Sequence, residues 1–72
     1  ANAYAPAYNN LGVIYQNEAG TDPMKAQLAS YYYNKSIEVN PAYIDGRNNQ
    51  AALKKATGID VKMLPQDILD RY

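Results

Sequence analysis

One phrase in this chain is written twice. Tyr4 stands five residues before Asn9-Asn10, and Tyr43 stands five residues before Asn48-Asn49. Ala3 and Ala42 extend the match, and each pair is 39 residues apart. A single reaction centre does not need its phrase twice. A supersecondary unit that stacks on a copy of itself does. With 72 residues, the chain holds one full unit of that length and the opening of a second.

The unit reads as helical. Tyr8, Leu11, Gly12 and Tyr15 fall at i, i+3, i+4 and i+7, which lines one side of a helix. Pro6 suits the first turn, where a missing N–H costs nothing. The polar stretch Asn17–Pro23 ends this helix. Asp22-Pro23 opens the next, with Asp as N-cap and Pro at the first helical position. This second helix is predicted from Pro23 to about Asn40. Ala26, Ala29, Tyr33 and Ile37 form its stripe, with Leu28 and Tyr32 at the edges. Tyr31–Tyr33 favours a strand locally, but the absence of Gly and Pro from 24 to 40 outweighs that preference. Pro41 disfavours helical geometry at Asn40. A third helix is predicted from Ile44 to Thr57, stopping at Gly58 as its C′ residue, with Gly46 a weakness in its first turn. A short last helix follows, with Asp60 as a cap and Pro65 as a start. Leu64, Ile68 and Tyr72 share one of its sides.

Composition narrows the function classes. Seven basic residues balance seven acidic ones, and Arg47, Lys54 and Lys55 are too few to make a nucleic-acid surface. No apolar run reaches the length of a membrane span. There is no basic or hydrophobic leader, so a cytosolic location is the default expectation, although the chain is equally readable as a piece of a longer protein. There is no Cys and no His, which removes disulfides, the usual zinc ligands and the commonest catalytic base and nucleophile. Asp67 and Asp70 share a helix face, but a lone Asp-x-x-Asp is ordinarily a solvated surface. No phosphate-binding glycine motif is present. No enzyme activity, cofactor or metal is expected.

Together, Tyr8-x₂-Leu11-Gly12-x₂-Tyr15, Ala29-x₃-Tyr33 and Pro41 resemble the tetratricopeptide repeat pattern, W-x₂-L-G-x₂-Y…A-x₃-F…P. The period exceeds the usual repeat of about 34 residues by about five, near Ala19–Pro23, a lengthened turn somewhat like that of Sel1-like repeats. In the second copy, Arg47, Gln50, Ala51 and Lys54 replace the stripe, which is similar to a degenerate terminal repeat. The resemblance implies an all-α fold of about four helices in a single domain. Residues 3–41 would be a complete helix–turn–helix repeat, 42–58 the first helix of a degenerate one, and 59–72 a short terminal helix. It also implies a core of Tyr8, Leu11, Gly12, Tyr15, Ala29, Tyr33, Ile37 and Pro41, with Gly12 closing on Ala29.

The resemblance further implies where a partner would bind. First helices of successive tetratricopeptide units line a concave groove that receives peptides. Asn9, Asn10, Val13, Gln16 and Asn17 would face it, continued by Asn48, Asn49, Ala52, Lys55 and Ala56. An Asn side chain both donates and accepts, so it can hold a peptide backbone of any sequence. The O-linked N-acetylglucosaminyltransferase family uses a similar asparagine ladder. The bland alternative is that these amides bond within the repeat. A clamp for a terminal carboxylate is not expected, because Lys55 is the one basic residue of the set. Tyr31 and Tyr32 spread to either side of Tyr33, with at least one expected against the third helix. The expected function is binding of a protein or peptide. The alternatives are a capping or self-associating unit of a longer solenoid, and an accessory segment of a larger enzyme such as a glycosyltransferase.

Overall fold

A computed structural model of the chain describes residues 4–72, so Ala3, where the expected repeat begins, lies outside the described residues. The fold is all-α. Four helices follow in order: α1 (Tyr4–Asn17), α2 (Pro23–Val39), α3 (Ile44–Thr57) and α4 (Gln66–Arg71). The described residues contain no strand. The extra residues between α1 and α2 form a short 3₁₀ turn, Ala19–Thr21.

The helix ends have local causes. The Asp22 carboxylate accepts the Met24 N–H at 3.0 Å, and Pro23 follows as the first helical residue. Asn40 leaves α2 in extended backbone, as the residue before a proline prefers, and its Oδ1 accepts from the Ala42 N–H at 3.1 Å. Gly58 caps α3 at φ 78°, a left-handed conformation suited to glycine, and donates its N–H to Lys54.

Helix α2 is the central element. α1 lies antiparallel to it: Glu18 pairs with Lys25 at one end, and Ser36 Oγ donates to the Ala5 carbonyl at 2.8 Å at the other. α3 returns antiparallel along α2, with Gly46 against Ser36 and Leu53 in a core cluster with Ala29 and Tyr33. Tyr15 packs on that cluster from α1. The Cα atoms span 31 × 27 × 17 Å. α1 and α3 each keep one side in water, while α2 is buried or half-buried along all but its ends.

The tightest approach is at Gly12. A Cβ there would lie 2.4 Å from two carbons of the Tyr33 ring, and the three nearest atoms all belong to Tyr33. The bare glycyl surface is therefore filled by this ring rather than by the expected Ala29. The contact sets the rotation of α1: Ala5, Asn9 and Gly12, at i, i+4 and i+7, point inward. Tyr8 and Tyr15 flank them, half-buried. Leu11, expected in the core, is 37% exposed, because it sits one residue and about 100° of helix away from Gly12. Ile37 is half-buried, and Pro41 is exposed in the turn between α2 and α3. On α3 the inward residues are Gly46, Gln50 and Leu53. Of the positions matching the first stripe, only Gln50 is buried, while Arg47, Ala51 and Lys54 face water.

After Gly58 the chain becomes an arm laid across α2 and α3. Val61 N–H donates to Ser30 Oγ at 2.8 Å, and Asn34 Nδ2 donates to both Asp60 Oδ1 and the Val61 carbonyl. Gln50 Nε2 donates to the Ile59 carbonyl and to Asp60 Oδ1. Lys54 Nζ reaches Asp60 Oδ2 at 3.5 Å. The Asn34 amide holds the Asp60 carboxyl below the usual carboxylate range. Lys54 and Lys62 add to this, and partial burial opposes it. Tyr15 ties the end of α4 by donating its hydroxyl to the Tyr72 carbonyl at 2.9 Å.

Two outcomes follow from this packing. Gly12→Ala should cost about 1–3 kcal/mol, since the Tyr33 ring must shift, and Gly12→Leu should abolish cooperative folding. Thermal circular dichroism checks both, and a parent-like melt for Gly12→Leu would sink the packing account. The second outcome concerns acid. A carboxyl whose folded value is depressed contributes stability above its unfolded value of about 4, and loses it as pH falls through the lower folded value. Asp60→Asn should therefore destabilise the protein at neutral pH, with the gap from the parent closing as pH falls below the ordinary carboxylate value of about 4. Urea melts across that range measure it.

Candidate functional site

Both α1 and α3 run antiparallel to α2, so they run parallel to one another. A buried amide pair joins them: Asn49 Nδ2 donates to Asn9 Oδ1 at 2.9 Å. The bond crosses the two written copies, linking the first Asn of one pair to the second Asn of the other. Asn9 is only 6% exposed, so it cannot reach a partner as expected for a groove residue. Asn49 is half-buried. For these two, the Asn9 oxygen and one Asn49 N–H are used inside the protein.

The other expected groove residues stay on the surface. Successive residues turn by about 100°, so Val13, Asn10 and Asn17 lie outward of Asn9 on α1. Ala52, Ala56, Asn48 and Lys55 lie outward of Asn49 on α3 by the same geometry. All seven are exposed. Gln16 is exposed too, but its Oε1 already accepts the Tyr33 hydroxyl at 2.5 Å. The side-chain amides of Asn10, Asn17 and Asn48 make no hydrogen bond among the described residues. The outcome is a strip of unengaged amides and small apolar groups along a seam closed by Asn9 and Asn49. Helix α1 contributes no charged residue to it, and α3 contributes Lys55.

A second feature lies on the flank of α1 toward α2. Tyr32 is stacked between Tyr8 and Tyr15, with ring centroids 6.1 and 5.6 Å away and interplanar angles of 17° and 6°. Tyr31 meets Tyr32 edge-on at 5.1 Å, and Lys35 lies over the Tyr31 ring. Neither Tyr31 nor Tyr32 serves α3 as expected. Tyr32 stacks on the tyrosines of α1, and Tyr31 braces it. Burial pushes the Tyr32 hydroxyl above its ordinary range, and Tyr15, Tyr31 and Tyr8 add to the shift. Burial raises Tyr33 as well.

Asp67 is exposed, and Asp70 accepts from Gln66 Nε2 at 2.8 Å. Among the described residues, no group of three or more His, Cys, Asp or Glu side chains is placed to hold a metal ion. No helix of the described residues is long and apolar enough to cross a membrane.

Several structural polar residues escaped the sequence reading. Ser30 and Asn34 pin the arm, and Ser36 joins Ala5 to α2; Asp60, expected as a cap of the last helix, instead accepts from Asn34 and Gln50, and Pro65 stands at the start of α4. Gly46 counted as a weakness, yet it seats α3 against Ser36: an added Cβ would lie 2.6 Å from the Ser36 hydroxyl oxygen. The spacing of Gly46, Gln50 and Leu53 carried that signal. No protein-family model, curated protein or solved structure matches this chain.

The buried pair makes the two copies of the phrase separable by mutation. Asn49→Ala strands a buried acceptor and should cost about 1–3 kcal/mol. Asn10→Ala, at an exposed position, should stay within about 0.5 kcal/mol of the parent. Urea unfolding of the two variants distinguishes them, and equal stabilities would mean that the Asn9–Asn49 bond does not hold the seam.

Proposed function

We propose that the protein is a tetratricopeptide-like binding module that receives an extended peptide or protein segment along the α1–α3 seam. The observation that carries this reading is the exposed strip beside the Asn9–Asn49 bond. Asn10, Asn17 and Asn48 present amides with no internal use, and Val13 and Ala52 offer apolar surface between them. An extended segment carries backbone N–H and C=O groups that need partners once water is displaced. Amides satisfy both kinds of group without demanding a particular side chain. Asn9 and Asn49 act beneath the strip by fixing the spacing of the two helices, so the outer amides are held ready at little ordering cost. With Lys55 as the one cation of the strip, recognition rests on backbone hydrogen bonding and shape rather than on a carboxylate clamp.

The test is selection of binders from a library of unstructured peptides, followed by amide chemical-shift mapping with a selected peptide. Shifts should concentrate at Asn10, Val13, Asn17, Asn48, Ala52 and Lys55. Asn10→Ala combined with Asn48→Ala should weaken binding at least about tenfold, roughly the loss of one or two hydrogen bonds, with an unchanged melt. Parent-like affinity in the double variant, or shifts confined to another surface, would refute the assignment.

A further inference from the structure

Helix α1 carries two stripes, and the core uses only one. Ala5, Asn9 and Gly12 point inward. Tyr4, Ala7, Leu11 and Ile14, spaced i, i+3, i+7 and i+10, point outward, with Tyr4 63%, Leu11 37% and Ile14 51% exposed. That spacing is the alternation of three and four that lines the seam of a pair of supercoiled helices. A groove for an extended peptide has no use for it; Leu11 and Tyr4 turn nearly opposite Val13, while Ile14 borders Asn10 and Asn17 at i+4 and i−3. With the half-buried Tyr8 and Tyr15 beside it, it makes an exposed apolar face along α1.

We propose that a second copy of this chain covers this face, α1 against α1 across a twofold axis. This goes beyond the peptide-binding reading and stands or falls separately. The argument for self-pairing is electrostatic. A twofold contact sets residue i of the face against residue j and j against i, so a face with an excess of one charge repels its copy and a neutral one does not. Helix α1 is the one helix of the described residues with no acidic or basic side chain. The others carry several: Lys25, Lys35 and Glu38 on α2, and Asp45, Arg47 and two lysines on α3. Glu18, just beyond α1 on the same side, is paired with Lys25 at 3.3 Å. A neutral face offers nothing to a charged partner and nothing repulsive to itself. Ala7, small and central, lets the two helix axes come close, while Leu11 and Ile14 fill the space on one side of it and Tyr4 on the other. One helix face with tyrosine edges falls short of the roughly 800 Å² per partner of a standard interface, so the dimer is weak and concentration-dependent.

Sedimentation velocity of the 72-residue chain, from low micromolar to near-millimolar concentration, tests the proposal. The parent should shift from monomer to dimer. Leu11→Glu and Ile14→Glu should each remain monomeric at the highest concentration with parent-like helical circular dichroism. Val13→Glu, an equal change on the other side of α1, should dimerise like the parent. Should Leu11→Glu lose helical signal, Ile14→Glu alone decides. A parent that stays monomeric throughout, whatever else that face binds, overturns the proposal. So does a dimer that survives Ile14→Glu or that Val13→Glu abolishes.

Discussion

Tyr33 occupies the space over Gly12 that the Cβ of any other residue would take. With that ring in place, α1 has one rotation open to it, and the consequences run outward from there. Asn9 turns inward and must find a partner, because a buried amide without one is costly. Asn49 supplies it, which fixes where α3 lies relative to α1. Ser36, one turn beyond Tyr33 on α2, bonds Ala5 on one helix and backs Gly46 on the other. Three helices thus meet on a short segment of α2, between a ring and a hydroxyl. The same rotation sends Leu11 and Ile14 into water.

How much of this was legible depended on what carried the signal. Proline and glycine punctuation gave α2 and α3 nearly to the residue: Asp22-Pro23 and Asn40-Pro41 bound one helix, and Gly58 ends the other. Backbone conformational limits are local, so a single sequence suffices to read them. Rotation about a helix axis is not local. Leu11 looks like core because leucine is apolar and Gly12 adjoins it, yet a wide tyrosine on the facing helix moved the inward direction by about one residue. The copied phrase misled in a similar way. It set Asn9 equal to Asn48 and Asn10 equal to Asn49, but one member of each pair faces inward and the other outward. On α3, the register of Gly46, Gln50 and Leu53 follows a small residue that fits Ser36, not the memory of the first helix. The candidate strip was legible in outline because seven of its α1 and α3 residues needed only to avoid the core. The inward-facing Asn9 oxygen needed a donor 40 residues away in sequence, which no pattern along the chain announces.

The arm from Ile59 onward shows how a small helical body can finish an open side without a further hairpin. A helix laid on α2 and α3 would need its own apolar stripe. The arm uses Ser30, Asn34 and Gln50 as points of attachment instead, and binds mostly by its backbone at Ile59 and Val61 and by one carboxylate. Hydrogen bonds of this kind are directional and modest in net worth. They specify where the arm lies more than they hold the helices together. The Gln50 oxygen marks the limit of the arrangement: it is buried, and it finds no donor among the described residues.

The three parallel rings of Tyr8, Tyr32 and Tyr15 have an optical consequence. The chain has no tryptophan, so its near-ultraviolet spectrum belongs to tyrosine alone. Chromophores held 5.6–6.1 Å apart at nearly fixed angles couple their transition dipoles, and their dichroism depends on that geometry rather than on each ring singly. Two of these rings ride on α1 and one on α2, so the coupled band reports whether the first hairpin is closed. The protein carries its own label for the order in which its parts come together.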